Sequence, residues 1–332
     1  MADTSLIGAL RACRRRAALG IIGRALCLAA ILAAATLGFG SALAAAGTQL
    51  ASAAPITFFT TLPVSTGGLF LMDITNPAAT TVTSSSGHGH GFALSETLDI
   101  GYGVTPKLQL FALVPWFVHK SLTETASNGT HTSSGSNGFG DTLLLARYTL
   151  FGFERAESAL RIAPIVGLKT PTVVSDTGFS RISRPLQPGS GTWDPLGGIT
   201  LVWQTPDWEF DADAGYRVNT TADHFRFGNE VFADGSVQYL LRPFQIGPGN
   251  PGFIYATLDS NFFGQGKNRV NGRADPNSGG SLWFVDPGIQ YVTERYALKV
   301  AAQLPTLEAL NGGAPQPDYG VFVCVRLNFS LP

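Results

Sequence analysis

From Trp208 to Asn219 the chain alternates residue by residue: Trp208, Phe210, Ala212, Ala214, Tyr216 and Val218 interleave with Glu209, Asp211, Asp213, Gly215, Arg217 and Asn219. Successive side chains of a strand point to opposite faces, so this pattern predicts a strand with one oily and one charged side. Phe92 to Val104, Tyr296 to Pro305 and Tyr319 to Phe329 repeat it, with Glu96 as an interruption on the apolar face of the first. Beyond the first fifty or so residues no run approaches the roughly 18 to 20 apolar residues of a membrane helix. If this chain crosses a membrane, it does so in strands.

About twelve such strands are predicted, near 65–75, 92–104, 108–118, 139–150, 159–169, 195–204, 208–219, 229–240, 253–262, 281–291, 296–305 and 318–329. Each is close to the roughly 9 to 11 residues of a tilted membrane strand. Their connections alternate in length. Short turns fall at 105–107, 205–207 and 292–295, and intermediate ones at 151–158 and 241–252. Long polar segments fall at 76–91, 119–138, 170–194, 263–280 and 306–317, with a shorter one at 220–228. A soluble sandwich also alternates, but an even strand count with short turns on one side and long loops on the other is the pattern of an all-β, up-and-down antiparallel transmembrane β-barrel. Short turns would be periplasmic and long loops external. Phe92, Trp116, Phe117, Phe151, Trp203, Trp208, Tyr239, Tyr291 and Tyr296 fit interfacial girdles near strand ends.

The first residues read as an address. Arg11, Arg14, Arg15, Arg16 and Arg24 precede an apolar run from Ala25 to Phe39 and small residues through Ala46. This is the form of a secretory signal peptide over 1–46, with cleavage as late as 53 at the second small-residue triplet, Ala51-Ser52-Ala53. Residues 54–332 would then form the barrel, entered through an N-terminal periplasmic segment. Arg15-Arg16 is followed by Ala17-Ala18-Leu19, a poor twin-arginine signal, and Cys27 follows Leu26 where a lipoprotein would carry a small residue. Composition agrees with a barrel: 14% charged residues against roughly a quarter in soluble domains, and 39 glycines. The whole-chain charge of -1 excludes a strongly basic nucleic-acid binder, and removing the signal leaves 17 basic and 22 acidic side chains. Only Cys324 remains after cleavage, so no intramolecular disulfide forms.

Several segments resemble, in order, the transporter family named for the meta-pathway of phenol degradation: Pro55 to Phe58 with Leu62 to Val64, Gly138 to Phe151, Arg161 to Thr172, Leu186 to Pro195, and Asp286 to Thr293. The most specific piece is Gln187-Pro188-Gly189-Ser190-Gly191-Thr192-Trp193-Asp194-Pro195. The resemblance implies a Gram-negative outer-membrane barrel that passes aromatic or other hydrophobic small molecules. The final strand resembles the C-terminal signal read by the outer-membrane assembly machinery, although Phe329 is followed by Ser330, Leu331 and Pro332. Expected partners are therefore outer-membrane lipid, a small-molecule solute and that machinery, with no nucleic acid and no cofactor.

The charged face Glu209, Asp211, Asp213 and Arg217, with Asp99 and Lys299, is predicted to line the pore, because these side chains cannot cheaply face hydrocarbon. The competing reading is a filled interior in which the charges only pair with Lys299, Arg147 or Arg161. Asp211-Ala212-Asp213 matches a metal-binding Asp-x-Asp, yet strand spacing explains both carboxylates. His88 and His90, in Gly87-His88-Gly89-His90-Gly91, are two candidate metal ligands on a flexible outer loop, which would make the chain a surface binding or structural protein instead. Gly247 to Gly252 has the Gly-x-Gly-x-x-Gly spacing, but two prolines and a following strand deny it the helix N-terminus that binds phosphate. No nucleophile elbow or His-Glu-x-x-His is present, so enzyme activity is not expected.

Overall fold

The computed structural model describes residues 66–84, 87–155, 157–173, 184–243, 252–293 and 295–330; the signal-peptide prediction lies outside them. The strands are β1 (Gly68–Ser84), β2 (Gly87–Gly103), β3 (Leu108–Ala126), β4, β5 (Ser158–Thr170), β6 (Asp194–Gln204), β7 (Trp208–Arg217), β8 (Glu230–Pro243), β9 (Phe253–Gln265), β10 (Gly280–Val292), β11 (Tyr296–Leu310) and β12 (Gln316–Ser330). β4 runs in three pieces, His131–Phe139, Thr142–Tyr148 and Phe151–Arg155. Each strand pairs antiparallel with its neighbours in sequence, and β12 returns to β1 from Gly68 opposite Ser330 to Thr81 opposite Gln316. The result is a closed barrel of 12 strands. Closure leaves no unpaired backbone edge, the condition for a sheet to exist in hydrocarbon.

Alternation sorts the side chains as the period-two pattern requires. On β7, Asp211 and Asp213 are 4% and 5% exposed, while Ala212, Ala214 and Tyr216 face outward and are exposed. Around the short-turn end Trp208 meets Tyr239 at 4.5 Å with the rings tilted, and Trp203 stacks on Phe210 at 5.1 Å. At the other end Trp116 stacks on Phe139 at 5.7 Å and Trp283 meets Phe262 at 5.9 Å. From Trp208 to Tyr216, at ~3.3 Å per residue and a ~40° tilt, the band between the girdles is about 20 Å tall, close to an outer-membrane core. Phe117 departs from the expected girdle: it points inward and is only 5% exposed.

Two predicted outer loops are strand instead. β1 and β2 stay paired to Ser84 opposite Gly87, and β3 and β4 to Thr125 opposite His131. These hairpins project past the apolar band, so neither face needs oily residues and no hydrophobic alternation marks them. A second departure lies on the outside of β1 and β2, where Asp73 and Glu96 share the lipid-facing side, neither with an ion-pair partner among the described residues. A carboxylate in that position is costly. Asp73→Leu is expected to raise barrel stability by on the order of 1 kcal/mol, read from urea unfolding in lipid vesicles.

Candidate functional site

The inward face divides into two arcs. Phe70 and Met72 on β1, Phe111 on β3, Leu145 on β4, Ile165 on β5 and Phe322 on β12 belong to one contiguous buried apolar cluster. Facing them in chain order, β7 to β10 carry buried Asp211, Asp213, Asp234, Asp259 and Asp286. Register sets Asp213 directly opposite Asp234, and Asp259 directly opposite Asp286. Like charges opposed on adjacent strands repel one another unless neighbouring groups compensate them.

Neighbours relieve part of the repulsion. Lys299 Nζ on β11 lies 3.0 and 2.8 Å from the two carboxylate oxygens of Asp259. Asn261 donates to Asp286 at 2.7 Å, and Gln238 donates to Asp211 at 3.0 Å and to Glu209 at 3.2 Å. One oxygen each of Asp211 and Asp286 is buried without a hydrogen-bond partner. Thus Glu209, Asp211, Asp213 and Lys299 come together on one wall. Arg147 bonds Gln109, and Arg161 pairs with Glu154 near the short-turn end.

Arg217 and Asp99 lie elsewhere. Arg217 forms a buried ion pair with Glu230 at the outer end of β7. Asp99 on β2 is fully buried, with no hydrogen-bond partner on either oxygen, and shares a register level with Arg326 on the far side of Met72. Arg326 sits 4.1 Å from the Phe70 ring centroid and Arg147 sits 5.3 Å from that of Phe111, the two rings being 6.0 Å apart. The Phe70 ring lies over Gly101, where a Cβ would come within 2.0 Å of Cε1.

The segment from Gln187 to Pro195 follows a single turn of 3-10 helix, Arg184–Leu186, and is pinned to the outer end of the wall. Ser190 donates from both its backbone N and its Oγ to Asp141, at 2.6 and 2.7 Å. Lys169 donates to Ser190 at 2.6 Å and forms an ion pair with Asp194, whose side chain is 0% exposed. Thr192 donates to Asp194 at 2.8 Å, and the Thr220 backbone N donates to its other oxygen at 2.7 Å. Gly191 takes a positive φ of 70°, and a Cβ on Gly189 would sit 2.7 Å from Asp141 Oδ1, so both glycines are needed here. Trp193 and Pro195 face outward, while Gln187 and Pro188 close a cavity of about 50 Å³ against Phe117, Lys120 and Phe227. Sequence reasoning did not find Asp141, Lys169 or Lys120, because nothing local links residues that meet only across strands.

His88 and His90 lie on the β2 extension rather than on a loop, both exposed, with ring centroids 6.3 Å apart. Among the described residues no group of three His, Cys, Asp or Glu side chains is placed to hold a metal ion. Two imidazoles leave a tetrahedral site half filled. Zinc titration is therefore expected to give the same weak affinity for the native chain and the His88→Ala, His90→Ala double variant; a large loss in the variant would restore the metal reading.

The family model described as "Putative MetA-pathway of phenol degradation" matches residues 73–303. The chain belongs to this family. Three of the segments that carry the resemblance meet at one place: Gly138 to Phe151 supplies Asp141, Arg161 to Thr172 supplies Lys169, and Leu186 to Pro195 supplies Ser190, Thr192 and Asp194. Among solved structures, the COG4313 outer membrane channel from Pseudomonas putida F1 superposes with a TM-score of 0.58 at 16% identity, over 82% of this chain and 98% of that one. The translocator domain of the autotransporter NalP from Neisseria meningitidis gives a TM-score of 0.42 at 10% identity, over 85% of this chain and 93% of that one. No curated protein matches the chain. The likeness to the first of these is one of fold, and with the barrel and the family it makes this an outer-membrane β-barrel protein of a Gram-negative bacterium.

Proposed function

We propose that this barrel is a channel for small amphipathic molecules, with a preference for cations over anions. The observation that carries the reading is the division of the inner wall: five carboxylates on β7 to β10 face an apolar arc that includes Phe70, Phe111 and Phe322. A charged wall beside a low-dielectric one focuses the field on a passing ion, while the apolar side offers contact to a ring or short chain. Aromatic solutes are suggested by the family's name, and the COG4313 protein bearing the same fold is itself a channel. The last strand, β12, with Phe329 next to its end, would present the chain to the outer-membrane assembly machinery.

The test is conductance of the detergent-purified chain in a planar bilayer, with and without phenol or an aromatic amine. Discrete channel events and a heat-modifiable band in electrophoresis are expected. A protein that stays soluble without detergent and gives no events would overturn the proposal.

A further inference from the structure

Residues 266–274 carry Lys267, Arg269 and Arg273 and no acid. They fold back through the short strands Arg269–Val270 and Arg273–Ala274, which join Thr221–Ala222 and Phe225–Arg226 in a four-stranded sheet beyond the outer ends of the barrel strands. In that sheet Arg226 stands directly opposite Arg269. Two cations so placed repel, and an anion between them would relieve the repulsion. Yet none of Arg226, Lys267 and Arg269 forms an ion pair among the described residues. Arg226 donates to Asn229 Oδ1 at 2.8 Å, and Asn229 donates in turn to the Tyr216 hydroxyl at 2.8 Å, which holds the guanidinium in place.

The same three cations line a groove of about 740 Å³. Its other side is built from Tyr216 on β7, Val231 on β8, Phe262 and Gly264 on β9 and Ser281 on β10. These positions alternate with the buried inward residues of their strands, so the groove lies outside the barrel, on the wall that meets lipid. Gly264 keeps this wall low, because a Cβ there would sit 2.8 Å from Val231 Cγ1. Cations at the headgroup level above an apolar, lipid-facing surface match an amphiphile with an anionic head and acyl chains.

We propose that the groove binds a lipid of the outer leaflet through its phosphorylated headgroup, with Arg226, Lys267 and Arg269 on phosphate and an acyl chain along Val231, Phe262 and Gly264. Guanidinium groups suit phosphate because their fork donates two parallel charge-assisted hydrogen bonds. The proposal rests on the membrane placement and is independent of what the lumen conducts.

Binding of fluorescently labelled diphosphoryl lipid A to the full chain in zwitterionic detergent tests it, read as anisotropy. The Arg226→Gln, Lys267→Gln, Arg269→Gln variant is expected to bind at least about tenfold more weakly, the loss of one or more charge-assisted bonds. The same lipid with its phosphates removed should bind as weakly to the native chain, and excess inorganic phosphate should not displace the intact lipid. Equal affinity of variant and native chain overturns the proposal, as does equal binding of the dephosphorylated lipid. Displacement by inorganic phosphate would mean a free-ion site and overturns the lipid assignment. Heat-modifiable migration checks that the variant is folded; if it is not, the single Arg269→Gln change at an exposed position gives the same comparison.

Discussion

In a potassium chloride gradient across a planar bilayer, the Asp211→Asn, Asp213→Asn double variant is expected to give a reversal potential much closer to zero than the native chain. Both side chains lie on the inward face of β7, at one edge of the carboxylate arc. A unit charge ~5 Å from a passing ion contributes about 0.8 kcal/mol even at the dielectric constant of water, roughly a fourfold change in local cation concentration. Two carboxylates acting together therefore change cation preference by about tenfold, and by more where the apolar arc lowers the local dielectric. Asparagine keeps the shape and most of the hydrogen bonding, so Gln238 retains an acceptor on residue 211. The effect should be largest near ~0.02 M salt and fade toward ~1 M, where the screening length falls to about 3 Å. Asp99→Asn is the control, because Asp99 lies on β2 beside the apolar arc. An unchanged reversal potential in the β7 variant at low salt would remove the carboxylate arc from the conduction path.

What could be read from the chain follows where each element finds its driving force. The strand cores were legible because lipid demands apolar residues at every second position, as at Trp208 to Val218, and the lumen accepts polar residues at the rest. The arm of β1 and β2 beyond the membrane was not, since Thr81, Val82, Thr83, His88 and Gly89 meet no hydrocarbon and carry no alternation that burial would impose. Charge was legible as a face but not as a partner. Glu209, Asp211 and Asp213 had to point inward, yet nothing in their own segment shows that Asp234 stands across from Asp213, or that Lys299 bonds Asp259. The Arg226 and Arg269 pair is hidden for the same reason: 43 positions separate two residues that only a tertiary turn sets face to face.

The largest stability effect is expected at Lys169. Its ammonium bonds Ser190 and pairs with Asp194, and the side chains of both charged residues are almost fully buried. Lys169→Met would leave Asp194 charged inside the wall with only Thr192 and the Thr220 backbone N as donors. Breaking one side of such a pair costs about 3–5 kcal/mol, whereas replacing both partners with apolar or neutral groups of similar volume is often close to neutral. Lys169→Met should therefore lower the heat-modification temperature sharply, and the Lys169→Met, Asp194→Asn double variant should recover most of the loss. The coupling energy from that cycle isolates the ion pair from the packing of the lysine stem. Function supplies a second readout, because Lys169, Asp141 and Asp194 together hold the Gln187 to Pro195 segment against the outer end of the wall. When the anchor is lost, the segment is free to move, and conductance in the single variant should become noisier while the double variant stays closer to the native trace. Equal and additive losses in the single and double variants would show that the two charges do not act on one another, and that the segment is held by its backbone contacts alone.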